Sequence, residues 1–305
     1  MNDMLFCDFY RSWIDTYKKD AIRNATLKKY LAAYKWICEL VPDMKMSELN
    51  RTNYQKLLND YAAIHEKQTV LDFHRYLKAG ILDAFDDGLI TKDPTRKVII
   101  KGCKIRAKKI KYLSQFELQL LIKDLNLGDE INWDYFLFLV AKTGMRFSEA
   151  LGITPADFDF QKQTVSVNKT WDYKDNTGFA ETKNESSIRK IQIDWSTATK
   201  FSKIIQGMDY NMPIFVQHGQ KVYNSTVNDT LERHCKKLGI SVISVHGLRH
   251  THASLLLYAG VSLASVSRRL GHSDIVTTEK IYLHIIRELE SQDTDVIMRS
   301  LSQLG

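Results

Sequence analysis

Four short stretches place side chains of phosphoryl-transfer type at regular spacings. Thr143-Gly-Met-Arg146-Phe-Ser-Glu149 sets an arginine three residues ahead of a carboxylate, a spacing that lets Glu149 orient the guanidinium on one helix face. His246-Gly-Leu-Arg249-His250-Thr-His252 repeats the three-residue step with an imidazole. Leu270-Gly271-His272 closes a helix on glycine and presents His272 at a loop. Tyr282 follows ten residues later, within Thr277-Thr278-Glu-Lys-Ile-Tyr282. Together they form a parts list for metal-free phosphoryl transfer. Guanidinium forks bind non-bridging phosphate oxygens in pairs and keep their charge, imidazoles move protons near neutral pH, and a phenol attacks once such a charged surround favours its anion.

Each stretch alone has a plainer reading. Arg146 with Glu149 is an ordinary surface ion pair, His272 a loop histidine, and Tyr282 a core or interface ring. Three histidines in seven residues also raise a metal site. Zinc requires three or four converging ligands, and no carboxylate or cysteine stands at useful spacing, so no metal is expected. The conjunction of the four stretches outweighs the separate readings.

The elements that must position them read as mainly α with a small antiparallel sheet. Helical apolar stripes cover residues 8–17, 25–40, 53–63 and 69–85, an all-helical first domain over 1–95. A basic interdomain linker spans 96–111, a catalytic domain 112–286 and an amphipathic tail 287–305. In the second domain Ser114 and Glu117 form a capping-box pattern, and 132–142 is a strongly apolar helix. A hairpin over 158–171 and a strand around Ile188, Ile191 and Ile193 make a three-stranded sheet. Helices resume from Thr226 through 245–259, 262–270 and 277–286, with Ser244 as a cap.

Composition narrows the partner. The 305 residues carry a net charge of +7. Arg96, Lys97, Lys101, Lys104, Arg106, Lys108, Lys109 and Lys111 put eight basic residues in sixteen positions without an acid, leaving the rest close to neutral. Such a strip suits a polyanion, and the plainer alternative is a solvated linker. The longest apolar stretch, 136–141, is far short of a membrane span, and the N-terminus lacks a signal-peptide pattern. A cytoplasmic protein is expected. Cys7, Cys38, Cys103 and Cys235 are scattered and read as reduced thiols.

TGMRFSEALGI, HGLRHTHAS and LGHSDIVTTEKIY, in this order, resemble the catalytic boxes of tyrosine recombinases, the phage-integrase family. Residues 9–13, 26–30 and 84–94 resemble the helical core-binding domain of phage and transposon integrases, so the likeness runs through nearly the whole chain. It implies that Arg146 and Arg249 clamp the scissile phosphate, that Glu149 buttresses Arg146, and that His246 and His272 assist. It makes Tyr282 the nucleophile, and Lys183, in Glu181-Thr-Lys183-Asn, the general acid, with Lys190 and Lys174 as rivals. It also implies a core-binding and a catalytic domain closing on duplex DNA as a C-shaped clamp, with Lys101, Lys104, Arg106, Lys108 and Lys109 along the backbone and Lys28 and Lys29 on a base-reading helix. Four protomers would act on two duplexes to integrate or excise a mobile element, without ATP or metal and with a possible accessory DNA-bending or directionality factor. The tail is expected either on a neighbouring protomer or on its own domain. An arm-binding domain, which many such integrases carry first, is not expected within these residues: either this member lacks one or the sequence starts downstream of it. The alternatives are nicking and closing of the type IB topoisomerase kind, and a DNA-binding regulator with a decayed site.

Overall fold

The computed structural model describes residues 3–103, 112–217, 220–276, 278–279 and 282, and the chain divides into two compact units, Met1–Lys108 and Lys109–Gly305. The first is built on α1 (Phe6–Tyr17), α2 (Asn24–Leu40), α3 (Arg51–Ala62) and α4 (Lys67–Asp86). All four agree with the apolar stripes in the sequence. Phe6, Tyr10, Ile14, Ile37, Tyr54, Leu57, Leu77 and Ile81 supply its core. Asn50 starts α3 by accepting the backbone N–H groups of Thr52 and Asn53, each at 3.0 Å, which satisfies donors the helix itself leaves unpaired. A Cβ at Gly80 would stand 3.1 Å from the rings of Tyr10 and Trp13, so the missing side chain lets α1 and α4 pack closely.

The sequence reading puts a linker at 96–111. Residues 96–103 pack along the first unit. Arg51 donates to the Lys97 carbonyl at 3.0 Å, Gln55 exchanges two hydrogen bonds with the Ile99 backbone, and Val98 and Ile100 lie against the core. Residues 104–111 lie outside the described residues, as does the tail 287–305.

The second unit centres on α6 (Trp133–Thr143), buried nearly all round. Around it lie α5 (Gln115–Asp124), α7 (Phe147–Leu151), α8 (Trp195–Ile204), α9 (Asn224–Leu238), α10 (Val245–Tyr258) and α11 (Leu263–Leu270). An antiparallel sheet of β1 (Phe158–Asp159), β2 (Thr164–Val167) and β5 (Arg189–Gln192) pairs in the order β1-β2-β5, with Val165 opposite Phe158 and Ile191. Period-two alternation turns Val165, Val167 and Ile191 inward. Two features differ from the sequence reading. Trp171 lies outside that sheet, in a second hairpin of β3 (Thr170–Asp172) and β4 (Gly178–Ala180). Helix α8 arises where no helix is expected, capped by Asp194 on the Thr197 N–H at 3.0 Å.

The expected box at α5 is present. Ser114 accepts from the Glu117 N–H at 3.2 Å, and Glu117 accepts from the Ser114 N–H at 2.8 Å and the Ser241 N–H at 3.0 Å. Burial raises the Glu117 pKa, and the backbone and hydroxyl donors outweigh it, bringing the carboxyl down to about 2. An unfolded glutamate titrates near about 4.3, so the ionised group contributes stability above that value. The contribution declines as pH falls through about 4 towards 2. We expect Glu117→Ala to lower Tm at pH 7, by the equivalent of about 1 kcal/mol after allowance for partial exposure. The difference should shrink at pH 3; an equal deficit at both pH values, measured by thermal unfolding, would contradict this account.

Candidate active site

Gly144 ends α6 at φ +68°, the left-handed region that glycine enters without strain. A Cβ there would also stand 2.8 Å from His252. The turn delivers Arg146 to the start of α7. Glu149 accepts the backbone N–H of Arg146 at 2.9 Å and its Nη1 at 2.6 Å. Glu149 is buried. Burial pushes its carboxyl up, but the Arg189 and Arg146 guanidinium groups prevail and hold it below the usual range.

Arg249, on α10, is 3% exposed. Its Nη1 donates to the Gly144 carbonyl at 2.6 Å and its Nη2 to the Leu270 carbonyl at 2.8 Å. Arg146 reaches the same Leu270 oxygen at 3.4 Å and the Gly271 oxygen at 2.9 Å. One carbonyl at the end of α11 therefore collects guanidinium groups from positions 146 and 249. Burial, then the Arg146 charge, brings Arg249 down to about 9. Among the described residues, the ion pairs at this point are both made by Glu149. The site carries excess buried positive charge, which a bound anion would relieve.

The imidazoles follow. Gly271, at φ +68°, turns the chain so that His272 follows α11. The Nδ1 of His272 lies 2.7 Å from Thr278 Oγ1, and burial, with Arg249 and Arg146 next, pulls its pKa down to about 4. His246 is lowered by the same causes in the same order. Both are thus kept neutral at physiological pH, able to accept or donate one hydrogen bond. Tyr282 is 2% exposed, packed with Ala253, Leu257, Val266 and Leu270. Burial pushes its phenol up to about 12 against the opposing pull of Arg249. Its hydroxyl lies 3.0 Å from His250 Nδ1.

The structure thus gathers Arg146, Glu149, Arg249, His246, His272 and Tyr282. Lys183 is exposed in the loop between β4 and the turn Glu185–Ser187, whose Ser187 Oγ lies 3.5 Å from Arg146 Nη1. Its rivals, Lys174 in the β3–β4 turn and Lys190 on β5, are exposed as well. Lys28, Lys29 and Lys101 are exposed on the first unit, and Lys104, Arg106, Lys108 and Lys109 lie outside the described residues.

Two residues without a role in the sequence reading enter the site. Arg189 on β5 donates to Glu149 at 2.9 Å, to the Arg269 carbonyl at 2.7 Å and to the Ser187 carbonyl at 2.8 Å, tying the sheet to α11. Its alternation partner Ile191 faces inward, the one sequence sign that position 189 also points into the protein. The other is His250, one helical turn beyond His246. His252 turns elsewhere: its Nδ1 donates to the Ala141 carbonyl at 3.0 Å and its Nε2 accepts from Arg269 at 2.9 Å. The three histidines therefore do not converge, and among the described residues no group of three potential metal ligands forms.

Residues 111–288 match a model of the phage integrase family. The integrase of Staphylococcus phage L54a is 28% identical over 93% of this chain and 84% of its own length. A XerC-like tyrosine recombinase of Caldanaerobacter subterraneus subsp. tengcongensis is 25% identical over 97% and 83%. Among solved structures, the Tn1549 transposon integrase in complex with a circular-intermediate DNA superposes with a TM-score of 0.77 at 19% identity, covering 95% of this chain and 99% of that one. A lambda integrase dimer bound to a core site gives 0.67 at 17%, covering 91% and 77%. At those identities the structural likeness speaks to the fold.

Proposed function

Because the chain belongs to the phage integrase family and is a tyrosine-type site-specific DNA recombinase, we propose that Arg146 and Arg249 hold the scissile phosphate of duplex DNA while Tyr282 attacks it. The sharing of the Leu270 carbonyl by both guanidinium groups carries this reading, because it aims two fixed positive forks at one place. In the transition state the phosphorus gains negative charge on its equatorial oxygens, and preorganised donors stabilise that charge without rearranging. Glu149 and Arg189 hold Arg146 in position. The phenolic oxygen forms a bond to phosphorus and the bond to the 5′ oxygen breaks, leaving a 3′-phosphotyrosyl link. Lys183 protonates the departing 5′ oxygen, and neutral His246 and His272 bond to the phosphoryl oxygens. A 5′-hydroxyl from a partner duplex then reverses the step. One phosphodiester replaces another, so the chemistry conserves bond energy.

Lys101, Lys104, Arg106, Lys108 and Lys109 neutralise the DNA backbone, and the helix face carrying Lys28 and Lys29 reads bases. Four protomers assemble on two duplexes, in the cytoplasm, to integrate or excise a mobile element, with a DNA-bending or directionality factor as a further partner. The test is to incubate the protein with a library of duplex targets and sequence the products. Junctions joining two duplexes at a fixed position are expected; relaxation of supercoils with no joined product would contradict it.

A further inference from the structure

The activation of Tyr282 needs a proton acceptor, and among the described residues the imidazole at its hydroxyl is neither of the two histidines placed on the phosphate. The contact is with His250: Nδ1 stands 3.0 Å from the phenolic oxygen, and the rings meet at 64° with centroids 5.9 Å apart. Because α10 brings residues four apart onto one face, His246 lies beneath His250, ring to ring at 4.7 Å. Helix α10 therefore serves the site with three consecutive functions. Arg249 enters the clamp, His246 sits beside that clamp, and His250 touches the nucleophile.

Resting on the recombinase reading above, we propose that His250 is a catalytic residue, the general base that takes the phenolic proton of Tyr282 as it attacks phosphorus. The step balances. The Tyr282 O–H bond breaks and its proton passes to the Nδ1 lone pair of neutral His250, giving an imidazolium. The phenolic oxygen pair forms the new P–O bond, the P–O5′ bond breaks, and the leaving oxygen takes its proton from Lys183. On rejoining, the incoming 5′-hydroxyl gives up its proton to Lys183, and Tyr282 departs with the proton returned by His250.

Burial supports the need for such a base. Tyr282 lies among apolar side chains, where an unassisted phenolate is costly, and the pull of Arg249 leaves the phenol up at about 12. A phenol so placed is almost wholly protonated at pH 7. Among the described residues, the titratable and charged groups facing His250 include His246 and Arg249 on α10, Tyr282 itself, and His272 beyond α11, whose own proton affinity His250 helps lower.

The test uses the full chain and a nicked suicide duplex carrying its recombination site. Cleavage rates are measured between pH 7 and 9 for the unaltered protein, His250→Ala and His250→Gln. Binding of the same duplex reports whether each variant folds. Glutamine keeps a polar side chain of similar reach but cannot take up the proton, so it carries the test should alanine perturb α10. The expected loss at pH 7 is about 10²–10³-fold, with the variant rates rising about tenfold per pH unit as free phenolate replaces the base, against a flatter profile for the unaltered protein. Sulfur at the 5′ leaving position removes the need for a general acid. It should restore Lys183→Ala and leave the His250 deficit unchanged. A deficit below about threefold, one that stays constant with pH, or one that disappears with the sulfur substrate would overturn the assignment. An unaltered protein that forms no adduct through Tyr282 would instead overturn the recombinase mechanism itself, and this proposal with it.

Discussion

Arg249→Lys should slow strand cleavage by about 10²–10³-fold while leaving duplex binding within a few-fold. The substitution keeps the positive charge and loses the fork. Arg249 divides its Nη atoms between the Gly144 and Leu270 carbonyls, so two separate turns of the chain fix the plane of its guanidinium. A lysine ammonium is a point donor that can satisfy one of those oxygens and cannot present a pair of parallel N–H groups to a phosphate. Most binding energy on duplex DNA comes from distributed phosphate contacts, which this change does not touch. A single-turnover cleavage assay beside a binding titration separates the two. A cleavage rate within about threefold of the unaltered protein would show that charge alone suffices at position 249.

Glu149→Ala should be the most destabilising single change at the site, by about 3–5 kcal/mol. Its carboxylate accepts from Arg146 and from Arg189, whose side chain is 7% exposed. Removing it leaves two guanidinium groups facing each other without their common anion, one of them buried. By contrast, Arg11→Ala at the exposed pair with Asp15 should cost well under about 1 kcal/mol. Urea unfolding of the two variants checks the contrast. Equal and small losses would mean that Arg189 finds another partner and that Glu149 is dispensable.

Local patterns explain why much of this architecture is legible in the sequence. Helices α1 to α4 each show one apolar stripe, Pro42 and Gly88 follow α2 and α4, and the Ser114 box needs only residues three apart. The arginines and histidines proposed for the site stand in short stretches whose spacing survives without knowledge of the fold. What depends on distant pairing is not legible. Helix α8 owes its start to Asp194, in a stretch of weak helix formers. Trp171 joins a second hairpin because its ring meets Phe179 edge-on at 5.1 Å, a partner eight residues away across a polar turn. Arg189 reads as a solvated strand residue until Glu149, forty positions earlier, is folded against it. His250 is the nearest miss. The four-residue step from His246 was available, but the position of the Tyr282 hydroxyl was not.

Recombination by this mechanism requires Tyr282 to become covalently attached to DNA. The direct measurement is to trap the protein on the nicked suicide duplex, digest it with protease, and identify by mass spectrometry which residue carries the nucleotide. The mechanism predicts a single 3′-phosphoryl link on Tyr282, lost in Tyr282→Phe while duplex binding persists. A nucleotide on any other side chain, or an undiminished adduct in the Tyr282→Phe protein, would contradict it.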